Sequence, residues 1–169
     1  MTAAVVGCSA PTPPAPTSSP APTSVVDACP ASGTTLSVGE VEGASGLRAA
    51  GIFLTNCDTR PHTVEGFPAV RVLDESGAPM DVLTGNGSEP VSSPDAFDAP
   101  ARPITLAPGE RATARVLWRS QVTSATAPVL RGRYLEVAPA PGAPSARLEP
   151  RGGIDLGTTG RIAVNAWRR

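Results

Sequence analysis

Leu47–Asp74, LRAAGIFLTNCDTRPHTVEGFPAVRVLD, is the stretch that decides the fold. Laid out as an extended chain, its first ten residues put Ala50, Ile52 and Leu54 on one side and Ala49 and Phe53 on the other. Successive side chains of a strand point to opposite faces, so a strand apolar on both faces is covered on both and belongs inside a sheet. Cys57 closes that run, a polar bend follows over Asp58–His62, and Ala69–Asp74 resumes the extended pattern. The expectation is two strands of a β-domain whose connection carries a cysteine.

The same pattern spreads outward in both directions. Upstream, Thr35–Val41 sets Leu36 and Val38 on one face. Downstream, Asp74-Glu75-Ser76-Gly77 reads as a turn with glycine last, leading to a short strand at Pro79–Leu83, after which Gly85-Asn86-Gly87 opens a loop. Glu89–Pro103 holds four prolines and little to bury, and connections of that length are either functional or slack. Arg111–Arg119 shows the cleanest alternation, with Ala112, Ala114, Val116 and Trp118 opposite Arg111, Thr113, Arg115, Leu117 and Arg119. Arg133–Val137 and Arg161–Trp167 complete the set, separated by a Pro/Gly-rich bend at Ala138–Pro144. Twenty prolines, seventeen glycines and six aromatics in 169 residues disfavour helices, which proline breaks and glycine weakens. The reading is an all-β, immunoglobulin-like β-sandwich of seven to eight strands behind a disordered Pro-rich tail.

Three segments follow from composition: 1–8, 9–28 and the β-domain 29–169. Met1–Cys8, MTAAVVGC, ends like a lipobox, the signal cut just before a cysteine that receives diacylglycerol, which makes Cys8 the candidate lipid anchor. Only Thr2–Gly7 separates Met1 from that cysteine, whereas a signal peptide needs a basic start and roughly 7–15 apolar residues. Translation from a codon further upstream is therefore expected; the plain alternative is a free thiol near a chain end. Ser9–Asp27, with six prolines among small hydroxyl residues, cannot form a core. As polyproline II it spans up to about 60 Å, enough to lift a domain off a membrane. No run of eighteen apolar residues offers a transmembrane helix.

Three cysteines leave one over after any pairing. With Cys8 lipidated, Cys29 and Cys57 remain to form a disulfide in an oxidising compartment; a reduced, buried pair in a cytosolic protein is the competing reading. Charge is divided along the chain. Residues 1–99 hold three Arg against eleven Asp and Glu, a net of −8, and residues 100–169 hold eleven Arg against four acids, a net of +7. Either these charges face one another around the rim of one domain, or they form an acidic and a basic surface, the basic one meeting a lipid head group or wall polymer.

The chemistry-bearing residues are few. One histidine, His62, and no Cys-x-x-Cys argue against a zinc site, and there is no Gly-x-Ser-x-Gly nucleophile turn. His62 falls in a polar bend and reads as exposed. The acid pairs Asp74-Glu75 and Asp95/Asp98 have the residue types of glycoside hydrolysis but sit in turns, where carboxylates are solvated. Gly153-Ile-Asp-Leu-Gly-Thr-Thr-Gly160 looks like the first phosphate loop of the actin and heat-shock ATPase fold, yet the chain after it is too short for the remaining nucleotide motifs, so it reads as a turn into the last strand. The Arg111, Arg115 and Arg119 face lacks the interleaved aromatics of a nucleic-acid platform. No catalytic residue, metal or cofactor is assigned, and no nucleotide or nucleic-acid partner is expected; Arg111, Arg115 and Arg119 are the candidate partner surface.

Taken together, Cys29-Pro30, Leu54-Thr55-Asn56-Cys57 with Arg60-Pro61, Gly66-Phe67-Pro68-Ala69-Val70, Leu73-Asp74, Leu106-Ala-Pro-Gly-Glu110 with Trp118, and Leu135-Glu-Val-Ala-Pro139 resemble the actinobacterial family of exported proteins and lipoproteins called domain of unknown function 4232. The resemblance covers about Cys29 to Trp167. It implies an extracytoplasmic immunoglobulin-like domain behind a signal peptide or lipobox and a low-complexity linker, with no established activity. His62 stands where many members carry a cysteine, and the C-terminal half lacks a second cysteine pair. The function expected is a non-enzymatic, lipid-anchored envelope module contacting a wall polymer or envelope protein. An accessory or sensor domain for an envelope enzyme is the alternative, and a hydrolase with an acid pair the remote one.

Overall fold

The computed structural model describes Met1, residues 29–91 and residues 97–169. Cys8, the spacer and Asp95 lie outside the described residues. Twelve strands and no α-helix occur among the described residues: β1 (Thr34–Ala44), β2 (Leu47–Asn56), β3 (His62–Val64), β4 (Ala69–Leu73), β5 (Leu83–Asn86), β6 (Ile104–Leu106), β7 (Arg111–Arg119), β8 (Leu130–Gly132), β9 (Tyr134–Ala138), β10 (Ala146–Leu148), β11 (Ile154–Gly157) and β12 (Arg161–Val164). The sequence pattern suggested seven to eight. The excess comes from β3, β8 and β10, each three residues long and too short to show an alternating period, and from β11, whose residues read as a turn.

The principal sheet runs β1-β2-β7-β12-β5, beside a three-stranded sheet β10-β9-β4 and the pairs β11-β8 and β3-β6. β2 occupies the interior position its two apolar faces require, antiparallel to β1 on one side and β7 on the other. The β1–β2 hairpin turns on Ser45 and Gly46, both with positive φ (49° and 78°), which matches the twist of the flanking strands. The expected strand at Pro79–Leu83 is displaced: Pro79 makes an isolated bridge to Leu73, and pairing begins at Leu83, where β5 joins β12 in parallel. Gly85 and Asn86, read as the start of a loop, are strand residues because β12 offers them a free edge. The last strand likewise stops at Val164 instead of Trp167, and Arg168 bridges back to Thr113.

The inward faces of these sheets share one core. Ile52, Leu54, Val116, Trp118, Ile162 and Val164 of the principal sheet meet Val72, Leu135, Val137 and Leu156 of the others, all at most 1 % exposed. Two buried tryptophans satisfy their indole N–H groups on the backbone: Trp118 donates to the Asp155 carbonyl at 3.1 Å, and Trp167 to that of Pro139 at 2.8 Å. Behind the principal sheet, Phe97 packs with Leu117 and Ala163 and is only 8 % exposed. The connection thought to hold little that could be buried thus carries an anchor on that face.

At the end of β2, Asn56 is fully buried and ties four segments together. Its side-chain amide donates to the carbonyls of Arg60 and Leu106, both at 2.9 Å, while its Oδ1 accepts from the Asp58 amide at 3.0 Å. Its backbone donates to the Glu110 carbonyl and accepts from the Gly109 amide. The next residue, Cys57, is disulfide-bonded to Cys29 with the Cα atoms 5.6 Å apart, and its amide donates to the Gly33 carbonyl. Closing a separation of 28 residues contributes about 3–4 kcal/mol in the chain-entropy picture.

Removing a hydrogen-bonded partner from a buried site leaves the other groups unsatisfied. Asn56→Ala should therefore lower the unfolding free energy by about 3 kcal/mol in urea titration, and Asn56→Asp, which exchanges two donors for a buried charge, by at least as much. A loss under 1 kcal/mol in both variants would show that Asn56 does not organise this end of the domain.

Candidate functional site

Arginine accumulates on the outer face of the principal sheet because β7 alternates strictly there. With Ala112, Ala114, Val116 and Trp118 turned to the core, Arg111, Thr113, Arg115, Leu117 and Arg119 are left on the other side. The three arginines singled out from the sequence therefore share a face, but they have different surroundings. The Arg111 guanidinium lies over the Phe53 ring, 5.4 Å from its centroid. That ring lies so close to β2 that a Cβ at Gly51 would stand 3.0 Å from it. Arg115 faces Glu42 of β1 at 4.0 Å. Arg119, half-buried, donates from Nε to the Val91 carbonyl at 3.0 Å.

Sequence reasoning missed three further arginines on this side. Arg168 donates to the Phe97 carbonyl at 2.8 Å and, with Arg115 and Arg169, rims a hollow of about 600 Å³ floored by Leu47, Ala49 and Leu117. Arg161 lines a second hollow of about 380 Å³ together with Arg119. The alternation with Ile162 put Arg161 on an outward face, but that β12 lies beside β7 is a matter of topology, which periodicity does not encode.

The divided charge is partly spent within the domain. Arg115–Glu42, Arg133–Glu75 and Arg151–Glu40 each join an arginine of the second half to an acid of the first, as expected for charges facing each other around a rim. All six side chains are well exposed, so each pair contributes at most about 1 kcal/mol.

The other residues considered for chemistry have structural settings. His62 is half-buried at the start of β3, not in an exposed bend, and lines an apolar groove of about 570 Å³ with Leu36, Val64 and Pro139. The residue enters β3 because β6 pairs with it, His62 opposite Leu106. Asp74 caps its turn, accepting from the Ser76 amide and hydroxyl and the Ala78 amide at 2.7–2.9 Å. Asp98 clamps Ser88, accepting from its amide and its hydroxyl at 2.6 Å each. The sequence resembling a phosphate loop forms β11 and a turn into β12, with Ile154 and Leu156 buried. No group of three or more His, Cys, Asp or Glu able to hold a metal occurs among the described residues.

The Asn56 and Cys57 motif, the Gly66 carbonyl that receives the Trp167 amide, and the Ala107–Glu110 turn are thus the joints of one scaffold. A family model, Domain of unknown function (DUF4232), matches residues 29–168. The chain belongs to this family. No curated protein and no solved structure matches it. Within the DUF4232 domain Cys29 is the first residue matched, so the disulfide fastens its very beginning to the end of β2.

Hydrogen bonds from Ser76 hold the Asp74 carboxyl below the ordinary 3.8, and those from Ser88 do the same for Asp98. A carboxyl with a depressed folded value adds stability above its unfolded value, and that contribution is lost as pH falls through 3.8 toward the folded value. Urea midpoints should accordingly be insensitive to these groups from pH 7 to about 5 and decline below about 4. The decline should be shallower in Asp74→Asn and Asp98→Asn, and an unchanged profile in both would refute the assignment.

Proposed function

We propose that this DUF4232 domain is a non-catalytic binding module of the cell envelope, an immunoglobulin-like β-sandwich held by lipid on Cys8 behind the Ser9–Asp27 spacer. Its arginine-bearing outer face meets an anionic wall polymer. The observation that carries this reading is that face: Arg111, Arg115 and Arg119 project together from β7, and Arg161, Arg168 and Arg169 extend the row. Arginine suits such a partner because its planar fork engages phosphate and carboxylate groups through paired hydrogen bonds. The Cys29–Cys57 disulfide suits an exported protein, since cytosolic thiols are kept reduced. A five-stranded and a three-stranded sheet that share one core support the immunoglobulin-like reading.

Two measurements test the proposal. Full-length product expressed from the upstream start should incorporate a fatty-acid analogue and partition with membranes, and Cys8→Ala should abolish both; labelling that survives Cys8→Ala removes the anchor. Purified domain should retain anionic envelope polymer in a salt-sensitive manner, and the triple variant Arg111→Gln, Arg115→Gln, Arg119→Gln should retain at least tenfold less, in line with the salt-linked loss of several charge contacts. Recovery of protein in place of polymer would transfer the domain to an accessory role.

A further inference from the structure

Arg119 ends β7 and Arg161 begins β12, and these strands run antiparallel in a register that pairs Ile162 with Trp118. One step along, the two arginines flank that inward pair on the outer face. Like charges placed opposite one another in a sheet repel, and an anion held between them offsets that cost. Among the described residues neither arginine forms an ion pair, and no Asp or Glu lines the hollow they share.

The rest of that hollow consists of donors and small apolar walls. Thr123, Thr158 and Thr159 line it beside Pro90 and Val91. The Thr158 hydroxyl oxygen accepts from the Thr123 amide at 2.8 Å and from the Ser124 amide at 3.2 Å. With its acceptor capacity used by the backbone, its proton is left to be donated, either to the Thr123 hydroxyl 3.4 Å away or to an incoming oxygen. The Thr159 hydroxyl is committed to the Leu156 and Arg119 carbonyls and braces the turn. The bond from Arg119 Nε to the Val91 carbonyl fixes its fork and leaves the terminal nitrogens to be shared. The turn itself, Gly157-Thr158-Thr159-Gly160, depends on left-handed glycines at both ends, and a Cβ at Gly157 would fall on the Gln121 backbone.

We propose that this pocket between Arg119 and Arg161 binds a phosphoryl oxyanion. A planar carboxylate is satisfied by one guanidinium fork, whereas a tetrahedral group presents oxygens to two forks and a hydroxyl at once. Among the described residues no aromatic side chain lines the pocket to stack a base, so the ligand is taken to be the phosphoryl group itself, carried by a glycerol-phosphate polymer or a phospholipid head group. The assignment rests on the reading of this outer face as a binding surface, names the group it takes, and holds whether or not Cys8 carries lipid.

The test is titration of the full chain with inorganic phosphate at constant ionic strength, followed by amide NMR. Saturable shifts should centre on Thr123, Ser124 and Thr158, sulfate should compete, and acetate should bind about tenfold more weakly. Arg161→Gln, an exposed substitution, should weaken phosphate about tenfold while the melting temperature is unchanged, and Arg161→Lys should recover only part of the affinity. Glycerol-phosphate polymer and vesicles of anionic phospholipid then identify the source, since only the one whose retention Arg161→Gln reduces is the carrier. Shifts reproduced by chloride, or a phosphate affinity untouched in Arg161→Gln, would overturn the proposal. Affinity that emerges only in Asp95→Asn would overturn it too, by showing the arginines to be neutralised from within the chain.

Discussion

A single buried asparagine holds the architecture in register. Asn56 lies where the central strand β2 stops, and there the chain must satisfy several backbone groups that no ladder serves. Its side chain engages both amide protons and one oxygen lone pair, and its backbone serves the turn before β7. A leucine, with similar branching but no donor, would leave the Arg60 and Leu106 carbonyls stranded, and buried polar groups without partners are costly. The disulfide acts one residue later on the same joint: Asn56 fixes the geometry of the folded state, while the Cys29–Cys57 bond restricts the unfolded one.

From that joint the two faces of β2 acquire different roles. Ala50, Ile52 and Leu54 enter the main core, where close packing leaves little freedom to change. Ala49 and Phe53 look outward, Ala49 beside the small cluster of Phe97, Leu117 and Ala163, and Phe53 under the Arg111 guanidinium. The connection that brings Phe97 back to the sheet is fastened by the Asp98–Ser88 clamp and the Arg168–Phe97 bond, so a stretch poor in apolar residues is still attached to the domain.

The arginines show how one composition serves two purposes. Some, such as Arg133 between Glu75 and Glu149, offset nearby acids at the rim. Others gather on the outer face because strand alternation excludes them from the core, and there Arg119 and Arg161 stand together without an acid among the described residues. The proposed anion site and the wider polymer-binding reading both grow from this separation of charge by strand face.

The residues of Leu47–Asp74 and Arg111–Arg119 made the fold class legible, the first as an apolar run bounded by turn residues and the second as an apolar period of two sustained over nine residues. Turn chemistry at Asp74–Gly77 was equally local and equally readable. The short strands β3, β8 and β10 were not, because three residues form a strand only when a distant partner supplies the hydrogen bonds. His62 entered a strand for that reason, and β5 began later than its own residues suggest because β12 pairs it from Leu83 onward. The candidate site divides in the same way. By itself the sequence determined that arginines alternate on β7 and that Cys29 and Cys57 were left to pair once Cys8 was set aside. Only the tertiary structure decided that Arg161 comes beside Arg119 and that Phe97 closes over Leu117, because strand order and loop docking depend on contacts between residues far apart in the chain.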